Sequence, residues 1–145
     1  MSGTLLIYLR SAVRSLYRDP IEAQREECLV LVSMTLPERF GVQLAWAKRR
    51  EYVDDAATDR SCLRRPAMSS LIVDAQRGDV VVMRDLSRIS RDADERSATV
   101  KVLIVDRGTR LFTCDPAAEV FRRMPSWIAM SCFTVLSQLG ELGFS

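Results

Sequence analysis

The sequence predicts an α/β domain, a three-layered arrangement with a mainly parallel sheet of four to five strands flanked by helices and closed by a C-terminal helix. Three observations carry this. Short apolar runs between charged residues, Val80-Val81-Val82 being the clearest, alternate with stretches of helical spacing. Three helical stretches start at prolines (Pro20, Pro66, Pro125), and two stretches stop at glycines (Gly78, Gly108), which is the usual asymmetry of helix ends. The chain has 145 residues with an apolar fraction of 48%, enough for one domain with a real core.

Taken in order, Thr4 to Leu9 reads as a buried strand near the terminus. A polar loop from Arg14 to Asp19 follows. Asp19-Pro20 opens a helix whose apolar positions are Ile21, Cys28, Leu29 and Val32, and which fades near Pro37. Ala45 to Asp54 is a second strand, with Lys48-Arg49-Arg50 as a solvated run at its start. After a polar loop, Pro66 begins a helix bearing Met68, Leu71, Ile72 and Ala75, which stops at Arg77-Gly78. Asp79 to Met83 is the third strand. The polar loop Arg84 to Asp92 leads into a helix with Ala98, Val102 and Leu103, ending near Arg107-Gly108. Arg110 to Cys114 is a fourth strand, and Ser126 to about Leu142 a last helix with an apolar surface from Trp127 to Leu139.

Composition excludes several chemistries. With no histidine, a Ser-His-Asp triad, a histidine general acid and a histidine-ligated metal are all ruled out. Cys28, Cys62, Cys114 and Cys132 form no CxxC pair, so they read as reduced, mostly buried thiols, and neither metal nor cofactor is expected. Asp54-Asp55 reads as a strand end that supports neighbouring arginines. No apolar run approaches the roughly 20 residues of a membrane span, and the N-terminus lacks a signal pattern. A net charge of +2 does not by itself imply a nucleic-acid partner.

Charge distribution says more than charge total. Of 21 basic residues only Lys48 and Lys101 are lysine. In an open parallel sheet, sites form where the carboxyl ends of strands meet their loops. The first strand ends at Arg10-Ser11. The second leads to Arg64-Arg65, and the third to Arg84, Arg88 and Arg91. Guanidinium forks gathered at one edge make an anion site, and phosphate is the anion they suit best. Ser11 is either the hydroxyl of that site or a residue that only ends a strand.

Five segments, in order, carry a resemblance: Tyr8-Leu9-Arg10-Ser11-Ala12, Ile21-Glu22-Ala23-Gln24-Arg25-Glu26, Tyr52-Val53-Asp54-Asp55, Leu63-Arg64-Arg65-Pro66-Ala67-Met68, and Leu86-Ser87-Arg88-Ile89-Ser90-Arg91-Asp92. Together they resemble the catalytic domain of the serine recombinases, the resolvase/invertase family, from about Leu5 to Cys114. The resemblance implies site-specific DNA recombination. A serine attacks a backbone phosphodiester, forms a phosphoserine link to the DNA 5′ end, and exchanges strands within a dimer or tetramer. No metal or nucleotide is consumed.

By the same resemblance Arg10, Arg65, Arg88 and Arg91 are the phosphate-binding arginines, Gln24 helps hold the site, and Ser11 is the nucleophile. Residues 1–125 correspond to the resolvase-type catalytic domain. Residues 126–145 correspond to a truncated start of the dimerisation helix, with no DNA-binding domain after it. The implied partners are DNA backbone phosphates and further copies of the chain, with no membrane and no small-molecule cofactor. The implied location is the cytoplasm of a bacterium, or of a phage host, in association with the nucleoid.

The sequence departs from the family pattern twice. The family serine lies two residues after the arginine, where this chain has Ala12, and Ser11 sits one position early. Strand alternation at that point places Ser11 on the face opposite Arg10. The family aspartate before the first loop arginine is Ser87 here, and Arg64 replaces another, so local positive charge rises without its usual acidic partner. Two functions follow: an active recombinase domain, or a catalytically inactive relative that acts as a regulatory or dimerisation partner. A third, a module for a phosphorylated small molecule, lacks a glycine-rich phosphate loop.

Overall fold

The computed structural model describes residues 3–11, 20–44, 48–54, 64–90 and 92–120. Ala12, Asp55, Cys62, Arg91, the 12–19 and 55–63 loops, Arg122-Arg123 and the expected helix from Ser126 to Leu142 lie outside the described residues.

Five strands form one sheet in the order β2-β1-β3-β4-β5. They are β1 (Leu5–Arg10), β2 (Arg49–Asp54), β3 (Val80–Met83), β4 (Arg110–Cys114) and β5 (Ala117–Glu119). The first four are parallel, and β5 returns antiparallel to β4. The helices are α1 (Pro20–Val30), α2 (Leu36–Phe40), α3 (Pro66–Asp74) and α4 (Ala93–Lys101). This is the predicted α/β class, and its layers follow from strand alternation. Leu5, Ile7 and Leu9 of β1 enter one core with Cys28, Leu31, Leu36, Val82 and Phe112. Leu6 and Tyr8 enter the other, with Met68, Leu71, Val81, Leu103 and Leu111. A strand buried on both faces reads as an unbroken apolar run, which is why β1 and β3 were legible. Each fully buried leucine, isoleucine or valine contributes about 1.5–3 kcal/mol.

The structure corrects three boundaries and adds a strand. Strand β2 starts at Arg49 rather than Ala45. The first helix does not fade at Pro37. A π-helical turn, Leu31–Thr35, re-phases it, and Pro37 then falls in the first turn of α2, where no intrahelical N–H is needed. Gly41, at φ 67°, ends α2 instead, with its N–H and that of Val42 both on the Leu36 carbonyl. Helix α3 stops at Asp74 because Ala75 is already extended, so Gly78 is no helix cap. Gly78, at φ 91°, belongs to a turn closed by the Asp79 carboxylate, which accepts from the backbone N–H groups of Gln76 and Thr4 at 2.9 Å each. The added strand is β5, which the sequence reading did not place. Its Glu119 is 6% exposed and takes both hydrogen bonds of the Arg110 fork at 2.8 Å.

Candidate active site

The strand order reverses between β1 and β3, because the chain crosses from β1 to β2 on one side and then to β3 on the other. A crevice opens at the carboxyl ends of strands at such a point. The residues found there are Arg10 and Ser11 from β1, Arg65 from the start of α3, and Arg88 from the turn after β3. Gln24 reaches them from α1. The structure thus brings together four of the six predicted site residues around the end of β1, with Ser11 beside them. Arg91 lies outside the described residues.

Arg10 is held by its backbone. Its N–H donates to Gln24 Oε1 at 3.2 Å, and its carbonyl accepts from Gln24 Nε2 at 2.8 Å. Gln24 is only 2% exposed, so this two-point clamp is shielded from water. The same carbonyl also accepts from an Arg88 terminal nitrogen at 3.1 Å. Arg65 donates to the Arg88 carbonyl at 2.9 Å and to the Tyr8 hydroxyl at 3.3 Å. Tyr8 in turn donates to Asp54 Oδ2 at 2.9 Å.

Asp54 anchors this chain of contacts. It ends β2, in register with Arg10, and is 4% exposed. Besides Tyr8, its carboxylate accepts from the N–H groups of Ala67 at 2.9 Å and Met68 at 3.1 Å. Those are among the orphan donors of the first turn of α3, whose own cap residue, Arg65, supplies no side-chain cap. Asp54 therefore caps a helix from a neighbouring strand. In doing so it fixes the backbone from which Arg65 projects. Among the described residues no group of three or more His, Cys, Asp and Glu side chains could hold a metal ion, and Asp54 is committed to this network.

Sequence reading missed Asp85. The charge left uncompensated by Ser87 was expected to lack an acidic partner, and the structure corrects this. Asp85 Oδ1 lies 3.5 Å from Arg88 Nε, and Oδ2 accepts from Arg84 at 3.3 Å. Oδ1 also accepts from the Ser87 backbone N–H at 2.9 Å and from the Ser87 hydroxyl. The acid has moved two residues upstream and folds back over its own turn. The signal was there in Asp-Leu-Ser, a pattern that closes an Asx turn. Arg84 is diverted from the arginine group, since it pairs with Glu27 at 2.9 Å. Arg64 is exposed.

Burial pushes the Asp85 carboxyl up. The Ser87 hydroxyl, the Arg88 charge, the Ser87 amide and the Arg84 charge together outweigh it and hold the carboxyl below its ordinary value. A depressed folded pKa stabilises the fold above the unfolded value, and that stabilisation is lost as pH falls through the folded one. Asp85→Asn is therefore expected to lower stability at neutral pH and to lower it progressively less below about pH 4. Denaturant midpoints across that range check it; a gap that does not narrow with acidity would contradict the assignment.

Two guanidinium Nε atoms of the crevice make no hydrogen bond, and one of them, on Arg88, is ion-paired with Asp85 at 3.5 Å. Both this atom and Nε of Arg10 are buried. Buried guanidinium N–H groups left unmatched are costly unless something else meets them. Ser11 continues the β1 ladder for one more step, its N–H donating to the Asp54 carbonyl at 3.3 Å.

A mainly parallel sheet with arginines gathered at its switch point defines an α/β domain whose crevice lies at the strand carboxyl ends. The family model for the resolvase N-terminal domain matches residues 5–140, and the chain belongs to that family of site-specific recombinases. The fold is similar to the N-terminal catalytic domain of TP901-1 integrase, with 20% identity, a TM-score of 0.61, and 97% of this chain and 100% of that one covered. It is also similar to a resolvase family site-specific recombinase from Streptococcus pneumoniae, with 14% identity, a TM-score of 0.62, and 96% and 89% covered. No curated protein matches the sequence. Among the described residues, no helix is long and apolar enough to cross a membrane.

Proposed function

We propose that the crevice binds one DNA backbone phosphodiester and that Ser11 attacks it. The Ser11 oxygen forms a bond to phosphorus and gives up its proton. The bond from phosphorus to the 3′ oxygen breaks, and that oxygen leaves as a hydroxyl. Reversal at a new 3′ end completes exchange within a dimer or tetramer. The observation that carries this reading is the gathering of Arg10, Arg65 and Arg88 at the end of β1, with Arg10 Nε buried and without a hydrogen bond. A phosphoryl group passing through its transition state spreads negative charge over its oxygens, and fixed guanidinium donors stabilise that charge.

A second reading has its own support. The Ser11 backbone stays in register with β2. Continued alternation then keeps its side chain on the α1 side, away from the side of Tyr8. With Ala12 at the family's serine position, this favours a domain that keeps the arginine scaffold but does not cleave, and that regulates an active partner by assembling with it.

Covalent trapping separates the two. The chain is joined to a DNA-binding module of known site and given a nicked suicide substrate, beside Ser11→Ala and Ala12→Ser. The expected result is a protein–DNA adduct that survives denaturation and disappears in Ser11→Ala. An adduct from Ala12→Ser alone would mean an intact arginine scaffold that has lost its nucleophile, and would favour the regulatory reading. No adduct from any of the three would overturn the cleavage reading.

A further inference from the structure

We propose that Cys28 and Cys114 form a modification site, a dithiol that closes to a disulfide when a hydroperoxide oxidises Cys114. The inference is independent of how the arginine crevice is used. Cys28 sits on the inner face of α1 and is 0% exposed. Cys114 is the last residue of β4, 86 positions further along the chain, and the two sulfurs are 3.7 Å apart. A disulfide needs a separation near 2.05 Å, so closure asks for an approach of about 1.7 Å, shared between a helix side chain and one at a strand end.

The surroundings assign the two roles. Cys114 is only partly buried and lines a surface groove of about 530 Å³ together with Glu27, Leu31, Arg84 and Asp115. A small oxidant in that groove meets Cys114 before Cys28. Cys28 has no access to solvent, so an oxidant reaches it only by way of Cys114. Cys114 is thus the thiol that is oxidised, and Cys28 the one that resolves it.

The chemistry balances with a hydroperoxide as the two-electron oxidant. The Cys114 sulfur takes the terminal peroxide oxygen and becomes a sulfenic acid, and the remainder leaves as water or an alcohol. The Cys28 sulfur then attacks the Cys114 sulfur. The S–S bond forms, the S–O bond breaks, and the hydroxyl departs with the thiol proton as water. Two electrons leave the cysteine pair and two reduce the peroxide.

The bond would act close to the crevice. Cys28 lies one helical turn beyond Gln24, the residue that clamps Arg10. The N–H groups of Cys114 and Asp115 both donate to the Arg84 carbonyl, at 3.0 and 2.9 Å. Closing the pair would tie α1 covalently to the end of β4 and so to the loop that presents Arg88.

The test uses the whole chain with all four cysteines. The protein is exposed to hydrogen peroxide, denatured, alkylated with N-ethylmaleimide and mapped by mass spectrometry. The expected result is a Cys28–Cys114 cross-linked peptide as the main disulfide, reversed by dithiothreitol. Thermal melting of the oxidised protein should rise by about 10 °C, because the bond closes a long loop. Cys114→Ser should abolish the cross-link and leave Cys28 reduced. Cys28→Ser should leave Cys114 accumulating sulfinic and sulfonic acid. Recovery of both residues as maleimide adducts, or disulfides that join them only to Cys62, Cys132 or a second chain, would overturn the proposal.

Discussion

Asp54→Ala is expected to destabilise the fold by about 3–5 kcal/mol, which for a domain of this size lowers the melting temperature by roughly 10 °C. The size follows from what the substitution strands. The Asp54 carboxylate accepts from the Tyr8 hydroxyl and from the N–H groups of Ala67 and Met68. All three donors would lose their acceptor at a position that is 4% exposed, where water cannot easily replace it. Loss of a helix cap alone costs about 1 kcal/mol. The buried hydroxyl, and the Arg65 guanidinium that leans on it at 3.3 Å, account for the remainder. Asp54→Asn keeps one carbonyl oxygen and should fall between the two. Urea unfolding of the three proteins measures the order directly. A loss below about 1 kcal/mol for Asp54→Ala would mean that water or a neighbouring backbone group satisfies these donors.

Asp54 also marks how far the sequence could be read. Its place at a strand end was legible, because a strand closing on Asp-Asp has an obvious polarity. Its role as cap of α3 was not, since no local pattern links β2 to a helix 12 residues further on. That Arg10, Gln24, Arg65 and Arg88 lie together could be read in advance, because each sits at a strand end or in a motif with fixed neighbours. Asp85 was missed because the expected acid belonged at position 87, and a side chain that folds back over its own turn can supply the charge from position 85. Strand β5 was missed because Ala-Ala-Glu has neither alternation nor β-branched residues, and forms only because β4 offers it an edge. The two π-helical turns at Leu31–Thr35 and Val102–Asp106 leave no mark in apolar spacing. The contact of Cys28 with Cys114 joins residues 86 apart and is a product of the layers.

Arg88→Ala is expected to slow adduct formation by about 10²–10³-fold, in the unmodified chain or in whichever trapping variant yields an adduct. The Arg88 side chain is 15% exposed and does two jobs with different atoms. One terminal nitrogen supports the Arg10 carbonyl at 3.1 Å, while Nε makes no hydrogen bond and brings its charge within 3.5 Å of the Asp85 carboxylate. The first job is shared, because Gln24 Nε2 holds the same carbonyl at 2.8 Å. The Arg10 backbone should therefore survive the substitution, and the melting temperature should change far less than with Asp54→Ala. The second job, the positive charge that the proposed phosphate would meet, has no substitute. A lysine at position 88 keeps the charge but loses the planar fork and any donor at the Nε position, so Arg88→Lys should recover only a small part of the rate. Binding should weaken far less than cleavage, with the salt dependence of DNA association falling by about one phosphate contact. That split between a large effect on chemistry and a small one on binding is what a donor aimed at transition-state charge produces. Equal losses in both would make Arg88 a simple backbone contact, and an unchanged cleavage rate would remove it from the site.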